Sequence, residues 1–273
     1  MLKKVIKLEM KETGKVMPWL ILLMIGLIIL GVLANHLDFT QKALNNNYIY
    51  VTAVAFYIVL LTAISVVMFG YLVVRYYKTM YTDQGYLTHT LPVTPAQLII
   101  GKGIVFSLWY LICYIVNIGG FFALIYSTLI PHVRTEIFAE MEKSFSEINA
   151  LAPNFGLIFC CLMIVTVILS SIGSFFIINA STAIGQLFSR HKIIGSIVGY
   201  LCITFVIQIL SLVVLMVVLA SLAINDMYEF ESQLQVLKFM NRAFLGTCIE
   251  YVIISVALFF VSKGIISTKL NLD

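Results

Sequence analysis

Charge is what this chain has least of. Of its 273 residues only 11% are Asp, Glu, Lys or Arg, while 61% are hydrophobic. A water-soluble domain carries about 25% charged and about 45–50% apolar residues. A soluble globule of the present composition would expose large apolar patches and aggregate. The shortage excludes a cytosolic enzyme, a secreted domain and a disordered chain, and leaves a polytopic membrane protein. The net charge of +4 is small and the charges are sparse, so nucleic acid is not an expected partner. Cysteine is also scarce. Cys113, Cys160, Cys161, Cys202 and Cys248 all fall in apolar runs with no C-x-x-C, which reads as small hydrophobic residues, not disulfides or metal ligands.

Catalytic groupings are missing too. His36, His89, His132 and His191 stand singly, with no H-E-x-x-H, and no G-x-S-x-G elbow occurs. Gly101-Lys102-Gly103 lacks the spaced first glycine and the Ser/Thr of a P-loop. The chain is therefore not expected to be an enzyme or to bind a cofactor or metal. If ATP energises it, the ATPase is a separate polypeptide.

What the sequence does have is long apolar runs. A hydrocarbon core of about 30 Å needs about 20 apolar residues in a helix. Six runs qualify, at 16–34, 49–74, 103–130, 155–184, 193–224 and 244–266, and none shows the period-two alternation of a barrel strand. The expectation is an all-α membrane protein, a single transmembrane domain over 1–273, with the first run an uncleaved span. Lys and Arg divide 12 against 5 between alternate connections, which places both termini in the cytoplasm. Asp38, Glu136, Glu140, Glu142, Glu147, Asp226, Glu229 and Glu231 collect on the other side. The connections 131–154 and 225–243 on that side are long enough for short helices, the first with a stripe of Ile137, Met141, Phe145 and Ile148.

At the amino terminus, Lys3, Lys4, Lys7 and Lys11 share one helical arc opposite Leu2, Val5, Ile6, Leu8 and Met10. Such a helix can lie at the headgroups, its lysines toward anionic lipid. Glu9 and Glu12 interrupt its apolar side.

Polar residues within the spans are few. Glu250 sits inside the last run, where a charged side chain costs about 2.5–3.5 kcal/mol on insertion scales. Asn117, Asn179 and Gln208 are cheaper. These four residues either line a translocation path or bond neighbouring helices together. Gly195 and Gly199 form a G-x-x-x-G that allows close helix packing, within the chain or between subunits.

The most informative stretch is Tyr81 to Lys102, YTDQGYLTHTLPVTPAQLIIGK. Pro92 biases Leu91 away from helix. Thr94-Pro95-Ala96-Gln97 is a capping box with proline in the first helical position, and Val93 and Leu98 occupy the staple positions. The pattern predicts a short helix, a stiff two-proline corner and a long helix starting at Pro95. Asp83-Gln84-Gly85-Tyr86-Leu87, then Thr90-Leu91-Pro92-Val93-Thr94, then Leu98 to Gly101-Lys102, resembles the intracellular loop of type-2 ABC transporter permeases, which implies an ATPase-coupling loop from Asp83 to Pro95. In that family an acidic or polar pair, a glycine, an L-P-V-S/T run and a distal G-K recur between the second and third spans. Here Asp83-Gln84 replaces the commoner double-acidic pair.

The resemblance implies a six-span permease subunit that pairs with a second, identical or paralogous, permease subunit in the cell membrane, the bacterial plasma membrane. It implies ABC ATPase subunits, carrying ATP and magnesium, that dock on this coupling loop and on the amino-terminal helix, with export of a hydrophobic or amphipathic peptide, lipid or drug. A second reading, from the residues alone, is an ion-coupled secondary transporter using Glu250. That reading would call for broken helices paired between two halves, and the sequence shows no internal repeat. The charge split makes one prediction directly. Cysteines placed at Asn46, Glu140 and Glu231 should react with an impermeant thiol reagent in intact cells, and cysteines at Gln84 and His191 should not.

Overall fold

The computed structural model describes residues 2–34, 47–89, 93–128, 131–151, 153–188, 190–225 and 233–268. Among them the chain forms nine helices and no strand. They are α1 (Leu2–Thr13), α2 (Met17–Ala34), α3 (Asn47–Tyr81), α4 (Asp83–His89), α5 (Pro95–Thr128), α6 (Pro131–Leu151), α7 (Phe155–Gly185), α8 (Lys192–Asn225) and α9 (Gln233–Thr268). Six of them, α2, α3, α5, α7, α8 and α9, are long and apolar enough to cross a membrane. The all-α, six-span expectation therefore holds.

The helices outrun the apolar stretches that announce them. α5 has 34 residues, about 51 Å at 1.5 Å per residue, against a hydrocarbon core of about 30 Å. Its extra turns lie at its start, where Thr94 and Pro95 set the boundary. The Gln97 amide donates to Thr94 Oγ1 (3.3 Å) and the Thr94 amide donates to Gln97 Oε1 (3.4 Å), the reciprocal pair that the capping box predicts. At the other end of the chain the expectation changes. The segment 225–243 holds no separate short helix over its described part, because α9 runs unbroken from Gln233. Residues 233–243 contain neither proline nor glycine, so each added residue extends the existing ladder without a new nucleus.

Two groups of helices share the work. α7, α8 and α9 pack closely on one another, while α1, α2 and α3 gather around α5, which also touches α7. The fully buried side chains lie mainly in the second group: Met17, Met24, Met68, Met80, Leu98 and Ile99, joined by Phe175 of α7. Phe175 is the hub of an aromatic chain. It meets Tyr76 edge-on at 5.3 Å and Phe106 at 5.5 Å, and Phe69 continues the chain at 6.1 Å from Phe106. Gly103 makes room for it, since a Cβ there would stand 2.6 Å from the Phe175 ring.

α6 is less engaged than its stripe suggests. Its first turns are fastened by Arg134, whose guanidinium lies 4.5 Å above the Tyr126 ring, and by Phe138 against the same ring. Met141 and Phe145, on the predicted apolar stripe, remain about half exposed, at 48% and 49%.

The α3–α4 corner depends on one small residue. Only Thr82 separates the two helices, and the Gly85 amide donates to the Thr82 carbonyl at 2.6 Å. A Cβ on Gly85 would lie 2.5 Å from the Met80 carbonyl oxygen, which is backbone and cannot swing aside. Gly85→Ala should therefore cost about 1–3 kcal/mol, the range for forced overpacking, and lower the thermal midpoint of the purified protein. Gly70→Ala, where a Cβ would meet nothing within 4 Å, should leave it unchanged or slightly higher.

Candidate functional site

The sequence makes α1 a two-sided helix, and the structure shows which side is held. Val5, Glu9 and Thr13, spaced four apart, form its buried face, while Lys3, Lys4, Lys7 and Lys11 stay exposed. That face seats on α5, where Gly101 lies against Val5 so closely that a Cβ would come within 2.9 Å of the valine side chain. Trp109 of α5 donates its indole N–H to Thr13 Oγ1 at 2.8 Å. The lysines keep the outward arc expected of them. The opposite arc is covered in part by protein, and Glu9, an interruption in the amphipathic pattern, is its anchor.

Glu9 sits between two cations drawn from different helices. Lys102 Nζ of α5 donates to Glu9 Oε1, and Arg75 Nη2 of α3 donates to Glu9 Oε2 at 2.8 Å. Lys102 Nζ donates further to Thr79 Oγ1 at 2.7 Å. Burial alone would raise the Glu9 carboxyl, but Lys102 and Arg75 outweigh it and hold the carboxyl below the ordinary glutamate range. One carboxylate thus ties three helices at the end of the bundle that carries α4. The sequence offers a signal for this only in retrospect. Gly101 and Gly103 flank Lys102 and face opposite sides of α5, one toward Val5 of α1 and one toward Phe175 of α7.

Beside this cluster a groove of about 610 Å³ runs between α1, α3, α4 and α5, lined in part by Lys4, Glu9, Arg75, Gln84, Thr88 and Lys102. Gln84 is exposed where it lines the groove, Asp83 is exposed, and Gly85 is buried in the α3–α4 corner. Val93 is half-buried against the core, and Thr94 and Pro95 form the cap already described. The backbone of Tyr86 and Leu87 belongs to α4. Leu91 and Pro92, also expected in this loop, lie outside the described residues.

The four polar residues of the spans are not brought together. Asn179 is fully buried and accepts a hydrogen bond from Tyr76 OH, which ties α7 to α3 just below the ion cluster, while its Nδ2 has no partner. Asn117 donates to Ser65 Oγ at 2.7 Å and to the Cys113 carbonyl at 3.1 Å. Gln208 is exposed on α8. Glu250 is half-buried on the seam between α9 and α8, where Ser211 Oγ donates to its carboxylate. Gly195 and Gly199 pack within the chain: a Cβ on Gly195 would strike the Phe188 ring at 2.5 Å, and one on Gly199 would press the Ser181 carbonyl at 3.3 Å. Among the described residues no three His, Cys, Asp or Glu side chains gather as a metal site would require.

The Glu9 cluster gives a prediction with a defined sign. Glu9→Ala leaves Lys102 and Arg75 facing each other without a counter-charge, a loss of about 3–5 kcal/mol for a buried pair broken on one side. The folded carboxyl titrates below its unfolded value of about 4.3. Its stabilisation is therefore complete above that pH and is lost as the pH falls through the folded value. Acid, not base, should unseat α1. In a Trp19→Phe background, Trp109 emission should shift to the red under acid and, at neutral pH, in Glu9→Ala.

No family model matches this chain, and neither a curated protein nor a solved structure matches it.

Proposed function

We propose that the chain is the membrane-spanning permease subunit of a type-2 ABC exporter, in the bacterial plasma membrane, with its amino terminus, carboxy terminus and α4 in the cytoplasm. In this reading two such subunits, identical or paralogous, form the path for a hydrophobic or amphipathic peptide, lipid or drug. Separate ATPase subunits hold ATP and magnesium and dock on α4 and α1. Closure of the ATPases tilts α3 and α5 and expels the substrate outward.

The observation that supports this reading most is the way α4 is mounted. A seven-residue helix follows α3 after a single residue, and a capped helix start follows at Pro95. Both ends of the connection enter helices that Glu9 ties to α1. A push on α4 would pass directly into α3, from which only Thr82 separates it. A short helix mounted on the end of α3, in a chain with no P-loop, fits a subunit moved by another protein.

The test is whether a P-loop ATPase is encoded beside this chain's gene and co-purifies with the chain, followed by substrate-stimulated ATP hydrolysis in reconstituted membranes. Aromatic and aliphatic anchors dominate interface energy and rim charges add less. Tyr86→Ala or Leu87→Ala should therefore lose about 2 kcal/mol or more of docking, and Asp83→Asn distinctly less. Thr94→Ala removes a cap worth about 0.5–2 kcal/mol and should weaken coupling while sparing docking. Wild-type docking and hydrolysis in both Tyr86→Ala and Leu87→Ala would remove α4 from the coupling role.

The Glu250–Ser211 contact supports a second reading, an ion-coupled carrier, because it sets a carboxylate at mid-span. The two readings separate on energy source. Transport that needs a proton gradient, persists without ATP and fails in Glu250→Gln belongs to the carrier.

A further inference from the structure

A second cavity, of about 310 Å³, lies at mid-height between α3, α5, α7 and α8. Its volume is at the lower end of the roughly 300–1,000 Å³ typical of small-molecule sites. Its wall is unusual for a chain this apolar. One face of α5 supplies Tyr110, Cys113, Tyr114 and Asn117, at the i, i+3, i+4, i+7 spacing of a single helical stripe. Ser65 of α3, Ser174 of α7 and Tyr200 of α8 complete the polar lining, with Val66, Phe69 and Ile177 as the apolar part. No Asp, Glu, Lys, Arg or His lines it.

We propose that this cavity binds an uncharged amphipathic molecule that carries a hydrogen-bond donor beside a ring or short hydrocarbon body, taken up sideways from the membrane. Three observations define that class. Asn117 spends its amide hydrogens on Ser65 and the Cys113 carbonyl, so the atom it has left for a ligand is its oxygen, an acceptor. The tyrosine rings and Phe69 offer flat apolar surface next to that acceptor. A charged ligand would find no counter-ion in this lining, at a depth where an unpaired charge is costly. The direction of approach follows from packing. α3 and α8 scarcely touch each other, and Val66, Tyr114 and Tyr200, on the rim, are exposed.

Binding here does not depend on what drives transport. That the bound molecule is the transported one rests on the permease reading above. The experiment uses the full chain alone in phosphatidylcholine nanodiscs, with N-phenyl-1-naphthylamine as the probe: uncharged, two aromatic units and one N–H donor. Empty nanodiscs give the partitioning background. The expected result is a saturable component that Tyr200→Leu and Ser174→Leu each weaken about fivefold, the effect of one net hydrogen bond, while Gly26→Ala on α2, where a Cβ would meet nothing within 4 Å, leaves it unchanged. Tyr200 is on the rim, so its substitution tests the site even if Ser174→Leu fails to fold. Absence of a saturable component would overturn the proposal. So would unchanged binding in Tyr200→Leu. Displacement of the probe by tetraphenylphosphonium at lower concentration than by uncharged diphenylamine would assign the tyrosines to a lipophilic cation instead. Loss of ATPase docking in Tyr86→Ala with binding intact would separate this site from the coupling reading.

Discussion

The arrangement of the candidate site depends on a single buried carboxylate. Glu9 is held by Lys102 and Arg75, and the three side chains come from α1, α5 and α3. Removing charges from water is expensive, and the mutual attraction repays that cost only when the geometry is close and the remaining donors find partners. Here Lys102 also reaches Thr79, whereas Arg75 Nε is buried without a partner. The cluster is therefore better understood as a specifier than as a large source of stability. It fixes where α1 sits along α5, because sliding by one residue would turn Glu9 by about 100° away from both cations.

Around that fixed point the remaining contacts fall into place. Thr13 is four residues beyond Glu9, which brings it one turn along to the Trp109 indole. Gly101 and Gly103 let α5 approach α1 on one side and α7 on the other. Tyr76, one residue after Arg75, carries the connection across to Asn179. A polar thread thus runs from α1 through α3 to α7 along the base of an otherwise apolar bundle. It joins the helix group around α5 to the group of α7, α8 and α9.

The spans were legible because composition alone demands them: no soluble arrangement buries 61% hydrophobic residues in a chain of 273. The start of α5 was legible too, since Thr94, Pro95 and Gln97 act through contacts only three residues long. Glu9 was not. In the sequence it is a blemish on an amphipathic helix, and its meaning lies in partners 66 and 93 positions away. The tyrosines of α5 were hidden for a different reason. Tyrosine in a span is common at membrane interfaces, so Tyr110 and Tyr114 carry less signal in the sequence than Asn117, although the three repeat on one helical face. Asn117, Asn179, Gln208 and Glu250 look alike as polar interruptions, yet the structure gives each a different neighbourhood: a cavity wall, a buried tyrosine, an exposed face and a helix seam.

The core between these helices is filled by an unusual choice of residue. Met17, Met24, Met68 and Met80 are all fully enclosed. Methionine is unbranched and has three rotatable bonds, so it refills a changing gap at small cost where a branched side chain would jam. A seam packed this way lets neighbouring helices slip against each other without opening voids. The same sulfur atoms are the bundle's chemical weak point: oxidation to the sulfoxide would place a polar group inside that seam. Mobility and vulnerability to oxidants thus share one set of atoms.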